Sequence, residues 1–254
     1  MVWNPSTYNE FKRIHFSPFN DLFELIHVKD GLKVIDLGCG TGELTRKLAD
    51  QLPESNVLGI DSSKEMLSKS TEYIRDRVEF KCMSIEAVIE SKEQWDLIYS
   101  AATIQWVDHH QELIPKLVAL VSKGGQIVTQ FPSNDSLHTH TTVAEVVKQE
   151  PFKSALNDWT RKSPVLSIDE YAEILANSGA RNITVFEKVY PQMFEDVDKL
   201  IEWVSGTMLL PYFKRLPEEL HSSFISAYRE RLLAKWPAGP VFYPFRRTFF
   251  AATC

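Results

Sequence analysis

The chain has 254 residues, 44% of them hydrophobic, and a formal net charge of −6. That length holds one domain with a sizeable insert, and the acidic balance excludes general nucleic-acid binding, which needs a basic field. No apolar run is long enough to span a membrane, no signal-peptide stretch is found at the N-terminus, and Cys39, Cys82 and Cys254 are scattered without metal-ligand spacing, so a cytoplasmic protein free of metal and disulfides is expected.

In chain order, strand and helix signals alternate through the first half. Leu32–Leu37 reads as a buried strand, Glu43–Gln51 as a helix stopped by Pro53, and Asn56–Ile60 as a second strand. Ser63 opens a helix, and Val78–Cys82 and Trp95–Ser100 are the third and fourth strands. Gln111–Val121 carries apolar residues at helical spacing, with Gly124-Gly125 ending it before a fifth strand, Ile127–Phe131. Thr139–Gln149 reads as helical and Pro151–Pro164 as irregular. Ile168–Ser178 is a helix closed by Gly179, and Asn182–Tyr190 a strand. Residues 191–240 are mostly helical between prolines, and Val241–Ala252 is an extended aromatic run expected to pair antiparallel with 182–190. This pattern predicts an α/β fold, a Rossmann-like doubly wound seven-stranded sheet whose last strand is antiparallel, binding ligands at the strands' carboxyl ends. The expected division is an N-terminal lid segment 1–30, a cofactor domain of 31–190 with 241–254, and a helical substrate cap inserted at 191–240.

The segment Asp36-Leu37-Gly38-Cys39-Gly40-Thr41-Gly42 joins the first strand to a helix, and Asp61 ends the next strand. Glycines permit a tight turn and close approach of a ligand, and an acid about 20 residues on can accept both hydroxyl hydrogens of a ribose. Asp36 would repel a dinucleotide's pyrophosphate and attract a cation such as an amino acid's ammonium. Glu43 also breaks the glycine spacing of dinucleotide sites. S-adenosylmethionine therefore fits better than a nicotinamide dinucleotide, with a tight turn lacking any ligand as the alternative.

Beyond this loop the chain resembles the trans-aconitate 2-methyltransferase-like family of class I S-adenosylmethionine-dependent methyltransferases over nearly its whole length. The resemblance rests on Trp3-Asn4-Pro5-Ser6 with Tyr8, the two cofactor segments (the second being Gly59-Ile60-Asp61-Ser62-Ser63) and Gln105-Trp106. It continues through Pro132, Asn134 and His140, Tyr190 with Gln192-Met193, Trp203-Val204 with Thr207, Leu209 with Pro211-Tyr212, and Arg247. It implies cofactor contacts from Asp36, Gly38, Cys39, Gly40, Asp61, Ser62, Ser84, Ser100, Gln105 and Trp106, and acceptor contacts from Tyr8, His140, Tyr212 and Arg247; His138 joins the acceptor candidates by its place after the fifth strand, at the ligand end. It also implies S-adenosyl-L-homocysteine as the spent cofactor. The chain departs from the family at Ser84, where the family has an aspartate, and at His15, Ser17 and Leu210, where it has arginines. A less charged acid than trans-aconitate is therefore as compatible as trans-aconitate itself.

The reaction implied is carboxyl O-methylation of a small organic acid, a transferase reaction with no nucleic-acid or membrane partner. An acceptor carboxylate is already ionised at neutral pH, so no general base is needed, and none is evident. Arg247 offers a planar fork for a second carboxylate, and Arg246 alternates to the other face of the strand. His138 and His140 share a face if extended, and no nearby acid or cysteine completes a metal site around them. His109-His110 reads as an exposed helix start, and Trp106 either lines the adenosine pocket or is a core aromatic. Two other readings stay open: a methyltransferase for a carrier-bound acyl group, and a non-catalytic adenosylmethionine-binding regulator.

Overall fold

A computed structural model describes residues 12–254, with side chains from Ser17 onward. Tyr8 and most of the expected lid's signature lie outside the described residues. The strands are β1 Lys33–Leu37, β2 Asn56–Asp61, β3 Val78–Cys82, β4 Trp95–Ala101, β5 Val121–Pro132, β6 Arg181–Phe194 and β7 Val241–Thr253. They form one seven-stranded sheet in the order β3-β2-β1-β4-β5-β7-β6. The pairs among β1 to β5 are parallel, and β7 runs antiparallel to β5. The order reverses between β1 and β4, so the connections leaving their carboxyl ends diverge and open a crevice there.

The helices are α1 Lys12–Phe23, α2 Glu43–Asp50, α3 Lys64–Leu67, α4 Ile85–Ser91, α5 His110–Val118, α6 His138–Val146, α7 Phe152–Ala155, α8 Ile168–Asn177, α9 Val197–Ser205, α10 Leu210–Phe213 and α11 His221–Lys235. Local chemistry sets several starts. The Ser63 and Ser84 hydroxyls accept the amides of Met66 and Ala87, and Ser167 forms a capping box with Glu170. Each such cap contributes about 1 kcal/mol. Among the described residues, no helix is long and apolar enough to cross a membrane.

The chain divides into two compact units. The sheet unit holds the described chain to Pro132, Pro164–Lys188 and Arg247–Cys254, and the second unit holds Ser133–Ser163 with Val189–Arg246. The sequence reading kept 133–163 with the sheet. In the structure α6 and α7 instead pack on α11: the Tyr228 hydroxyl donates to the Thr139 carbonyl at 3.1 Å, and the Phe152 and Phe224 rings meet edge to face at 5.3 Å.

Two boundaries also differ from expectation. Strand β6 continues past Tyr190 to Phe194, because Tyr190 and Phe194 are buried on one side of it. Helix α5 stops at Val118, and the Gly124-Gly125 pair sits inside β5 as a bulge between the Trp95–Val121 and Leu97–Gln126 pairings. A Cβ on Gly125 would lie 2.8 Å from the Asp96 carbonyl oxygen, so the close approach of two strands demands glycine there.

Candidate cofactor and acceptor sites

Strand β1 ends by delivering Asp36 to the glycine turn. Gly38 has φ +77°, and a Cβ on it would lie 2.2 Å from the Thr103 side chain. Thr103 in turn donates its hydroxyl to the Gly38 carbonyl at 3.2 Å. The amides of Gly38 and Cys39 both donate to the Ile60 carbonyl at 2.8 Å, which ties the turn to the tip of β2. Asp61 completes the tie: its Oδ2 accepts the Gly40 amide at 3.0 Å and its Oδ1 the Ser63 amide at 2.8 Å. Each carboxylate oxygen can accept more than one hydrogen bond, so an oriented acceptor pair remains for vicinal hydroxyls.

Asp36 is 3% exposed and accepts the Thr45 hydroxyl at 2.6 Å. Burial pushes its carboxyl up to about 7; the Thr45 hydrogen bond opposes this and the charge of Asp61 adds to it. A buried carboxyl with so high an affinity for a proton also favours a nearby ammonium, which restores the stability of the ionised form. Tyr99 pairs with Asp36 in the β1–β4 register, and its buried hydroxyl has no hydrogen-bond partner among the described residues. The Cys39 thiol is pushed up by burial and then by Asp36 and Asp61, so it is an unreactive neighbour of the loop.

A cavity of about 790 Å³ opens on this turn. Gly38, Gly40, Asp61 and Ser62 line one part of it, Met66, Met83 and Ser84 another, and Ala102, Thr103 and Trp106 a third. Trp106 is 51% exposed and so is not a core aromatic. Of the other expected cofactor residues, Asp36 and Cys39 belong to the loop but do not line the cavity. Ser100 is a correction: it is fully buried and donates to the Leu37 carbonyl at 3.2 Å, where it ties β4 to β1. Gln105 donates to the Ala102 carbonyl at 2.8 Å, within its own turn. Thr103, Met66 and Met83 were missed, since nothing in their spacing marks them. The glycine turn and its oriented carboxylates suit a nucleoside that carries a cationic amine, which is the chemistry of S-adenosylmethionine.

His110 also corrects expectation. It is fully buried, not on an exposed turn. Its Nε2–H donates to the Ile104 carbonyl at 2.9 Å, and its Nδ1 accepts the Tyr171 hydroxyl at 2.5 Å. The Tyr171 oxygen accepts the Leu166 amide at 3.2 Å. Burial lowers the pKa of His110 and keeps it neutral, and it braces the Ile104–Trp106 turn from below.

The expected acceptor residues are dispersed. His138 and His140 lie on helix α6, so two-residue spacing turns them to different faces; the shared face needed an extended chain. His138 meets the Trp236 ring at 5.4 Å. His140 has its Nδ1 3.1 Å from the Thr139 hydroxyl, and burial takes its pKa to about 4, with Asp135 opposing and Arg161 assisting. Tyr212 is buried, and its hydroxyl accepts the Arg161 amide at 3.3 Å. Arg247, in the sheet unit, is 3% exposed and donates to Gln130 Oε1 at 2.6 Å, whereas the Arg246 guanidinium reaches the Ser136 hydroxyl. Among the described residues no group of three histidine, cysteine or acidic side chains could hold a metal ion.

A family model described as a methyltransferase domain matches residues 34–125. The chain is 38% identical over its full length to a protein of Deinococcus radiodurans named trans-aconitate 2-methyltransferase, covering 98% of that protein. Among solved structures, the YcgJ protein of Bacillus subtilis aligns with a TM-score of 0.61 at 11% identity, covering 94% of this chain and 98% of that one. Phosphoethanolamine N-methyltransferase 2 of Haemonchus contortus, solved in complex with S-adenosyl-L-methionine, aligns with a TM-score of 0.54 at 18% identity over 94% of this chain. This chain spans about half of that longer protein, 52% of its length. At these identities the two structural likenesses show the fold alone.

Proposed function

Because the chain belongs to the family of the trans-aconitate 2-methyltransferases, we propose that it methylates a carboxylate of a small organic acid of the trans-aconitate kind, with S-adenosylmethionine as donor, in the cytoplasm. The observation that carries the donor assignment is the glycine turn held to Ile60 and Asp61 with the Asp36 carboxyl buried beneath it. Bound there, the donor supplies a methyl group already activated on a sulfonium. Asp61 receives the ribose hydroxyls, Asp36 offers its charge to the ammonium, and Trp106 shelters the open side of the cavity.

The remaining task is to position and desolvate an acceptor that is already a nucleophile. A carboxylate with a pKa near its ordinary value of about 4 is ionised at neutral pH and needs no proton removed. The histidines are consistent with that. His110 is locked as a neutral brace, and His140 is neutral because burial depresses its pKa. Arg247 holds a second carboxylate of the acceptor, with Gln130 fixing the plane of its guanidinium.

The test is a panel of mono-, di- and tricarboxylic acids with methyl-labelled donor. A base-labile labelled ester formed from a small di- or tricarboxylate is the expected product, and Arg247→Lys should raise the Michaelis constant for that acid more than for the donor. Donor binding without label transfer to any acid would sink the acceptor class.

A further inference from the structure

We infer that the Tyr99 hydroxyl holds the Asp36 carboxyl in its ionised form when the donor's ammonium arrives, which makes Tyr99 a positioning residue for the amino-acid end of the donor. The inference rests on the proposed use of S-adenosylmethionine and concerns the floor beneath the glycine turn. A phenol has one hydrogen to donate, and burying it without an acceptor costs stability that a phenylalanine would not cost. An acceptor that becomes available only with the ligand accounts for a hydroxyl kept in that state.

Tyr99 is fully buried, and its oxygen has no hydrogen-bond partner among the described residues. Strand register sets its direction. Ile35 pairs with Ile98 and Asp36 with Tyr99, and successive side chains of a strand alternate between faces. Ile35, Leu37 and Ile98 belong to the core on one face of the sheet, so Asp36 and Tyr99 share the other. On that face the Phe19 ring meets the Tyr99 ring edge to face at 6.2 Å and fixes its plane. Burial, and then the charge of Asp36, hold the phenol well above its ordinary range. The hydroxyl therefore keeps its proton, and the carboxyl is near enough to act on it.

Asp36 has an oxygen to offer. Its Oδ2 accepts the Thr45 hydroxyl at 2.6 Å, and its Oδ1 accepts no hydrogen bond among the described residues. An ammonium at the turn draws the carboxyl into its ionised form, whose lone pairs then suit Thr45 on one oxygen and Tyr99 on the other. Two neutral hydroxyls favour the carboxylate without bringing a positive charge of their own, so they do not compete with the ammonium for it. The Asp61 charge opposes ionisation of Asp36, and the nearby Cys39 thiol is held protonated, so neither supplies that support.

Calorimetric titration of the full chain with S-adenosylhomocysteine, which carries the amino-acid end, and with methylthioadenosine, which lacks it, tests this. Tyr99→Phe should weaken S-adenosylhomocysteine about tenfold, the scale of one hydrogen bond to a charged group, and hold methylthioadenosine within about twofold. Its unfolding midpoint in denaturant should stay at the wild-type value or rise, because the free chain loses only an unpaired hydroxyl. A loss of S-adenosylhomocysteine affinity below about threefold, an equal loss for both compounds, or a lowered midpoint would overturn the inference while the donor assignment stands. A wild-type chain that binds S-adenosylhomocysteine no better than methylthioadenosine overturns the ammonium role of Asp36. One that binds neither compound overturns the donor assignment itself, and the inference falls with either.

Discussion

The glycine turn of the sheet unit and the aromatic cluster of the second unit are built on opposite plans. The turn is held by backbone amides on a carbonyl and a carboxylate, all within the span from Asp36 to Ser63. The cluster joins residues far apart in sequence through rings: Trp203 meets Phe194 at 5.6 Å, Tyr243 at 5.5 Å and Phe245 at 5.1 Å. Hydrogen-bond geometry tolerates little displacement, whereas apolar contact is non-directional and spread over many atoms. Damage to the turn should therefore abolish ligand binding, and damage to the cluster should drain stability while sparing the donor site.

The harshest way to break the comparison is Gly38→Ala. A methyl group cannot coexist with the Thr103 side chain 2.2 Å away, and φ +77° adds backbone strain. Donor affinity should fall by more than about a hundredfold, the scale of several lost hydrogen bonds, in a calorimetric titration. Trp203→Ala attacks the other plan. It should lower unfolding free energy by about 3 kcal/mol in a denaturant titration, with donor affinity of the folded fraction held within about twofold. A large affinity loss there would erase the distinction.

Asp61→Ala should weaken donor binding by roughly 1.5–3 kcal/mol, as for hydrogen bonds to a charged group. Unchanged affinity in the folded variant would remove Asp61 from the ribose site. The finest probe is pH. The Asp36 carboxyl is raised to about 7, above its unfolded value of about 3.9, so the folded state holds its proton longer. Its contribution to stability should decline as pH rises from about 4 through 7 and level off above. Donor affinity, which needs the carboxylate, should move the other way, rising by up to about tenfold per pH unit toward 7 and then flattening. Asp36→Asn should remove both trends, and a pH-independent wild-type affinity would contradict the ammonium assignment.

The same contrast explains what was readable beforehand. The strand–turn–strand frame and Asp61 were legible because their chemistry is local and its spacing is diagnostic. Gly124-Gly125 was not, since a glycine pair punctuates a helix end and a strand bulge with the same residues. His110 looked solvated because polar neighbours surround it in sequence; its partners, Ile104 and Tyr171, bury it from two directions. A helix from Thr139 was legible; the shared face of His138 and His140 failed because that helix already begins at His138, which puts both histidines on it. Ser100 fell at a strand end where ligand and neighbouring strand are equally near, and the Leu37 carbonyl takes it.

The second unit is discontinuous, and this matters during synthesis. Helix α6 emerges from the ribosome before the α11 residues that cover it, and at about 5–20 residues per second the delay lasts several seconds. Strand β7, made last of all the strands, has to enter between β5 and β6, which until then expose raw edges. A nascent chain stalled before β7 is therefore the form most exposed to aggregation and most in need of a chaperone.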